Sequence, residues 1–241
     1  MDRLIYLSMA GAKADMQRQD VLANNLANAS TPGFRAELTA FRAVPVQGSG
    51  ASTRVYALES TPGHDMSPGV VATTGRPLDV AMRGQAWLAV QALDGTEAYT
   101  RGGSLEVAAD GTLVTQSGLP VLGDGGPVQA PADSELSIAA DGTVSARAAN
   151  GRIDNIGRLK LVTPEAPLNR GTDGLFRAAG GELPADTNAR LQDGALEGSN
   201  VSPVETMVAM IAAARQFEAQ MRMLQTAEGN EKAAAQLLSM S

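Results

Sequence analysis

Acid–base chemistry in this chain would fall to one histidine, His64, and to carboxylates, because cysteine is absent. His64 lies in TPGHDMSPG with no clustered carboxylates beside it, which describes a solvent-exposed loop histidine rather than a general base. Most aspartates that could form an acid pair open turn steps instead: Asp94-Gly95, Asp110-Gly111, Asp124-Gly125, Asp141-Gly142 and Asp173-Gly174, with Asn150-Gly151 alongside. There the side chain serves the turn. No G-x-S-x-G elbow, no phosphate loop ending in Gly-Lys-Ser/Thr and no H-E-x-x-H occurs. No catalytic, cofactor-binding or metal-ligating residue is therefore named, no cofactor is expected, and the chain is read as not an enzyme.

Composition narrows the remaining classes. The 241 residues are 44% hydrophobic but only 3% aromatic, so the core must be built from Val, Leu, Ala and Met. The formal charge of −7 argues against nucleic acid, which requires a clustered basic face. Without cysteine there is neither a disulfide framework nor a thiolate metal site. No apolar run approaches the ~20 residues of a membrane-spanning helix. The start, with Asp2, Lys13 and Asp15 among its apolar residues, lacks the apolar stretch of a signal peptide. Neither a small-molecule substrate nor membrane insertion is expected.

The elements that would position any working residues divide sharply. Both ends are written in helical code. Near the N-terminus one face carries Leu4, Leu7, Gly11, Ala14 and Val21, and a second carries Ile5, Met9, Ala12, Met16, Ala23 and Leu26. Two apolar faces call for more than one neighbour. Gly11 and Ala14 would let a partner helix approach closely, and Pro32-Gly33 should stop this helix near Ala29. At the other end Ser202 is an N-cap, Pro203 the first helical residue, and Glu205 completes a capping box. Met207, Met210, Ala214, Phe217, Met221 and Leu224 then follow at the three-four spacing of a coiled-coil seam. Glu218 and Arg222 suit an i,i+4 pair, and a kink or fray is expected around Gly229-Asn230.

Between the ends, the Asp-Gly and Asn-Gly steps separate short runs such as LDVAM, WLAVQ, TLVTQ, ELSIA and RLKLV. These predict antiparallel hairpins with type I′ turns. The expected fold is α+β, with N- and C-terminal helices pairing as a coiled-coil layer and a central antiparallel β-rich domain. The boundaries are 1–35 for the N-terminal assembly helix and its signature, 36–76 for an extended linker or hinge, 77–185 for the β-rich domain, and 186–241 for the connection and C-terminal assembly helix.

The string VLANNLANASTPGFR at the end of the first helix resembles the N-terminal signature of bacterial flagellar rod and hook proteins. TGRPLDVAMRGQAWLAVQ, YTRGGSLEVAADGTLVTQSGLPVLG and LEGSNVSPVETMVAMIAAARQFEAQMRML agree with that family in its own order. MDRLIY, FRAVPV and the short middle look most like its proximal-rod members. Ala86-Trp87-Leu88 departs from the family's more usual Gly followed by two aromatics, which should alter local packing only.

The resemblance implies a structural subunit of the basal-body proximal rod, polymerising through its terminal helices into a hollow, periplasm-spanning drive shaft. That shaft would transmit torque and pass exported subunits. Implied partners are other rod subunits, copies of itself and the flagellar type III export apparatus, with export needing no cleaved signal peptide. The expected assembly interface is Leu4, Leu7, Met9, Gly11, Val21, Asn24, Asn25, Leu26, Asn28, Met207, Ile211, Ala214, Phe217, Met221 and Leu224. The three asparagines would form interhelical hydrogen bonds that fix register. Three alternatives stand beside this: a distal-rod or other axial subunit, a secreted β-domain binding module oligomerised by its helices, and a cell-wall-cutting enzyme working beside a rod.

Overall fold

The computed structural model describes the backbone of residues 2–45, 55–132 and 134–239, and their side chains except at 2–5, 7, 43, 45, 55–62, 231, 234, 235 and 237–239. Two compact units emerge, one of Met1–Ala29, Arg35–Met66 and Val201–Ser241, the other of Ser30–Phe34 and Ser67–Asn200.

The first unit holds both helices. α1 spans Asp2–Ala27, stopping two residues before the expected end, where the Asn28 amide donates to the carbonyls of Asn24 and Asn25 at 3.1 and 3.2 Å. α2 spans Pro203–Ser239. It begins as its start signal predicts, and the Thr206 amide and hydroxyl both donate to the Ser202 carbonyl at 3.0 and 2.8 Å. Where a kink or fray was expected, at Gly229-Asn230, the helix continues, and Lys232 bridges back one turn to Glu228 at 2.7 Å. The anticipated Glu218–Arg222 pair is exposed at 3.9 Å, where it contributes only a few tenths of a kcal/mol, about the least such pairs give.

A second correction concerns the expected linker. β1, Glu37–Pro45, pairs antiparallel with β2, Val55–His64, setting Glu37 opposite His64 with one irregularity between Leu38 and Ala40. Much of 36–76 is thus a hairpin belonging to the helical unit. Residues 46–54 lie outside those described. His64 ends a strand and is half-buried, rather than standing in an exposed loop. Pro62 and Gly63 made the segment read as a connection, yet a two-stranded ribbon has only edge strands, where proline is tolerated.

In the second unit, β3 (Val71–Thr73) pairs with Ala195–Glu197 and β4 (Val80–Met82) with Leu191–Asp193. β5 (Trp87–Gln91) and β6 (Glu97–Thr100) lie within a five-stranded antiparallel sheet flanked by Leu161–Val162, Phe176–Arg177 and Asn169–Arg170. A three-stranded meander follows Ser134–Ile138, Thr143–Ala148 and Ile153–Arg158. The core is aliphatic, as composition required: Val80, Leu88, Val90, Leu105, Leu113, Val121, Val144 and Leu161 are all buried. At Ala86-Trp87-Leu88, Trp87 packs its ring centre 4.7 Å from that of Phe176.

The Asp-Gly steps do form turns, but not of type I′. The Gly95 amide donates to the Ala92 carbonyl, and the Ala92 amide to Thr96. The same two bonds recur around Gly111, Gly142, Gly151 and Gly174. Aspartate or asparagine therefore occupies the third position of a four-residue turn, and glycine follows in the left-handed conformation as a bulge, with φ of +81° at Gly95. The carboxylate stabilises this arrangement by accepting the amide two residues on, as Asp94 does from Thr96 at 2.9 Å. Hydrogen bonds from the threonine two residues on, its hydroxyl foremost for Asp94 and its amide foremost for Asp110 and Asp141, are why these three hold their protons less tightly than ordinary carboxylates.

Candidate functional site

Within the helical unit α1 and α2 pack against each other, and their burial follows a three-four rhythm. On α1, Ser8, Ala12 and Asp15 are buried and Gln19, Leu22 and Leu26 half-buried. On α2, Thr206 and Ala213 are buried, with Met210, Phe217, Gln220, Leu224 and Ala227 half-buried. The inner stripe of α2 thus shares Met210, Phe217 and Leu224 with the expected seam. Its other positions are Thr206, Ala213 and Gln220, one residue before the expected Met207, Ala214 and Met221.

What this stripe leaves outside is more informative. Met9, Met16, Val204, Met207, Val208 and Ile211 are 50 to 72% exposed. The most buried inner positions, Ser8, Ala12, Asp15, Thr206 and Ala213, are small or polar, while many of the large apolar side chains face out. Such a pair gains little from burial, since the hydrophobic term scales with apolar area removed from water. Asp15 weakens it further: one carboxylate oxygen is buried without a hydrogen-bond partner among the described residues, and burial raises the affinity of this group for its proton despite nearby Arg18.

The other expected interface residues distribute as follows. Gly11 is half-buried, and a methyl group there would lie 3.0 Å from the Gln220 side chain. Val21 and Ala214 are half-buried and Met221 is exposed. The side chains of Leu4 and Leu7 lie outside those described. The asparagines turn elsewhere than expected. Asn25 is buried and clasps the backbone of Glu37, donating to its carbonyl at 2.9 Å and accepting its amide at 2.8 Å. Asn24 reaches the Glu37 carboxylate at 3.2 Å, and Asn28 donates back to Asn24. Within this chain these bonds fasten α1 to the start of β1 rather than one helix to another. A buried amide needs partners for both its donor and its acceptor, and a strand end supplies both.

In the second unit, three chain segments meet around Glu197. Thr31-Pro32-Gly33-Phe34 forms a turn in which Phe34 donates to the Thr31 carbonyl and Gly33 has φ +72°. Proline and glycine at its centre are what a type II turn demands. The Gly33 amide donates to the Glu197 carbonyl at 2.8 Å, and the Asn200 amide to the Phe34 carbonyl at 3.3 Å. The Asn200 side chain donates to the Ser67 carbonyl at 3.0 Å. The Gly69 amide donates to the Glu197 carboxylate at 2.9 Å, while Gly198 donates to the Val70 carbonyl at 2.8 Å. These backbones lie so close that a methyl group on Gly69 would sit 2.0 Å from the Gly198 carbonyl oxygen.

Glu197 is neutralised by Arg101, whose Nε donates to its other oxygen at 2.8 Å, and both side chains are almost fully buried. The rest of the guanidinium is spent on carbonyls: Met82 and Gly84 at 3.0 Å each, and Ala86. Trp87 lies with its ring centre 5.9 Å from that guanidinium. Arg101 and Glu197 sit inside YTRGG and LEGSNV, yet sequence reading assigned them no role. A charged residue directly before a glycine was the only local hint. The described residues contain no group of carboxylates and imidazoles able to hold a metal and no helix long and apolar enough to cross a membrane.

Three family profiles match in chain order. "Flagella basal body rod protein" matches residues 5–35, "Flagellar hook protein FlgE/F/G D1 domain" residues 81–146, and "Flagellar basal body rod FlgEFG protein C-terminal" residues 192–237. Each contributes one piece of the node: the turn at 31–34, Arg101 and Glu197. The flagellar basal-body rod protein FlgF of Salmonella typhimurium is 50% identical over 252 residues, covering 100% of both chains. FlgF of Escherichia coli is 48% identical with the same coverage. The rod protein FlgG of Bacillus subtilis is 32% identical, over 95% of this chain and 96% of its own.

Proposed function

We infer the role from the premise that the chain belongs to the flagellar basal-body rod protein family. It is a structural subunit of the flagellar rod, of the FlgF type, and not an enzyme. Its place is the flagellum, in assembly with other rod subunits.

Beyond that, we propose that the subunit polymerises through its terminal helices into the periplasm-spanning rod, with α1 and α2 as a coiled-coil pair. The observation that carries this is the set of large apolar side chains, Met9, Met16, Val204, Met207, Val208 and Ile211, left exposed on a helix pair whose most buried positions are Ser8, Ala12, Asp15, Thr206 and Ala213. A helix pair finished within one chain buries its largest residues, whereas one that is finished by neighbours keeps them for the neighbours. The three-four rhythm of burial on both helices supports the coiled-coil geometry. Helices so weakly satisfied in the free chain depend on tertiary partners for their stability. Passage through a flagellar export apparatus before assembly is compatible with that dependence.

Electron microscopy of basal bodies purified from a strain lacking this protein tests the reading. The rod is expected to be missing or truncated, and an intact rod would overturn it.

A further inference from the structure

Three segments of the second unit, residues 30–34, 67–69 and 198–200, border the helical segments in sequence. The first two are each hydrogen-bonded both to Glu197 and to Asn200. The carboxylate of Glu197 bonds the 67–69 segment through the Gly69 amide, while its own carbonyl holds Gly33. Arg101 in turn fixes that carboxylate against three carbonyls of the β4–β5 turn. A buried guanidinium with every bond directed leaves its partner no second rotamer.

We propose that Glu197, held by Arg101, is the positioning residue that locks these three segments of the second unit together, and that rod assembly requires this lock. The inference rests on the rod-subunit reading. Burial of such a pair need not add stability over apolar replacements of similar size. Its role is then the fixing of geometry, and the two effects can be separated.

Glu197→Gln keeps the size and removes the charge. Amide hydrogen exchange on the purified full chain is expected to speed up at least tenfold at Gly69. It should also speed up at Gly33 and Gly198, whose bonds run to backbone carbonyls and not to the altered side chain. The core amides of Leu88 and Leu113 should stay protected. In cells, export should continue while rod yield and swimming fall at least tenfold, with Glu197→Asp partly restoring both. Acceleration at Gly69 alone overturns the proposal, as does opening of all three amides with rods and swimming at wild-type level. Should the single variant open its core, Arg101→Met with Glu197→Leu is expected to refold the core and still fail to build rods. A motile double variant overturns the proposal, and so does a double variant whose core also opens, because the pair then serves folding alone. In a strain where deletion abolishes the rod, a fully functional Glu197→Gln sinks only this proposal and leaves the rod reading standing.

Discussion

Replacing Ile211 with aspartate separates a residue that holds the subunit together from one that holds the assembly together. Ile211 is 56% exposed and lies beside Val204, Met207 and Val208, all at least half-exposed, so the free chain gives up little apolar burial when it is replaced. A loss below about 0.5 kcal/mol is expected, as for a surface substitution. In an assembly that covers this face, burying the remaining half of an isoleucine is worth roughly 1 to 1.5 kcal/mol. Placing a carboxylate in the same contact costs at least another 1 to 3 kcal/mol, roughly, for its lost hydration. The sum, about 2 to 4 kcal/mol, weakens each contact by some 30- to 1000-fold at about 1.4 kcal/mol per factor of ten. Thermal unfolding of the purified chain followed by circular dichroism should therefore be unchanged, while complementation of a deletion strain should fail in soft-agar swimming and in basal-body yield. Full swimming by Ile211→Asp would refute the argument, and a large fall in melting temperature would place Ile211 in the subunit's own core.

Four further outcomes are expected. Asn25→Ala removes both bonds to the Glu37 backbone and should cost about 1 to 3 kcal/mol for the buried groups left unpaired, read as faster exchange of the Glu37 amide. Gly33→Ala places a methyl group 2.2 Å from the Arg101 carbonyl carbon at φ +72°, and should destabilise the second unit by more than about 1 kcal/mol in a urea titration. Leu113→Ala, at a fully buried position, should cost about 2 to 5 kcal/mol in the same titration. Asp15→Asn should stabilise the helical unit, whereas Asp20→Asn, on an exposed position of the same helix, should not. The sign follows from linkage: burial raises the Asp15 pKa in the folded state, so the native form binds more protons and loses stability as pH rises. The advantage of Asp15→Asn, measured by helical ellipticity against urea, should be greatest at neutral pH and vanish toward the ordinary carboxylate range.

Local signals were legible wherever the structure answers to neighbours in sequence. The start of α2 at Ser202-Pro203, the glycine turns and the aliphatic core could each be read from a few adjacent residues. The turn type could not, because Asp-Gly suits two hairpin geometries and the hydrogen bond from residue 96 to Asp94 selects between them. The hairpin of β1 and β2 was hidden by Pro62 and Gly63, which mark a connection unless a partner strand is already known. Half of the expected α2 seam, Met210, Phe217 and Leu224, lies on the inner stripe, but large residues were assumed to face inward throughout and this pair turns Met207 outward. Asn25 was expected to bond across helices, and within this chain it bonds the Glu37 backbone, a choice between strand and helix that spacing does not encode. The Arg101–Glu197 pair joins residues 96 positions apart, beyond the reach of any periodicity.

The assignment of Thr31 to Phe34 to the second unit has a consequence for recombination. A domain inserted at one place can be exchanged with two cuts, one where the chain leaves and one where it returns. Here an exchange of residues 67–200 alone would carry away the partners of Gly33 and Phe34 while leaving those residues behind. A working chimera between relatives therefore needs the short 30–34 segment to travel with the distant block. For the same reason the N-terminal signature and the middle of the chain are bound to diversify together.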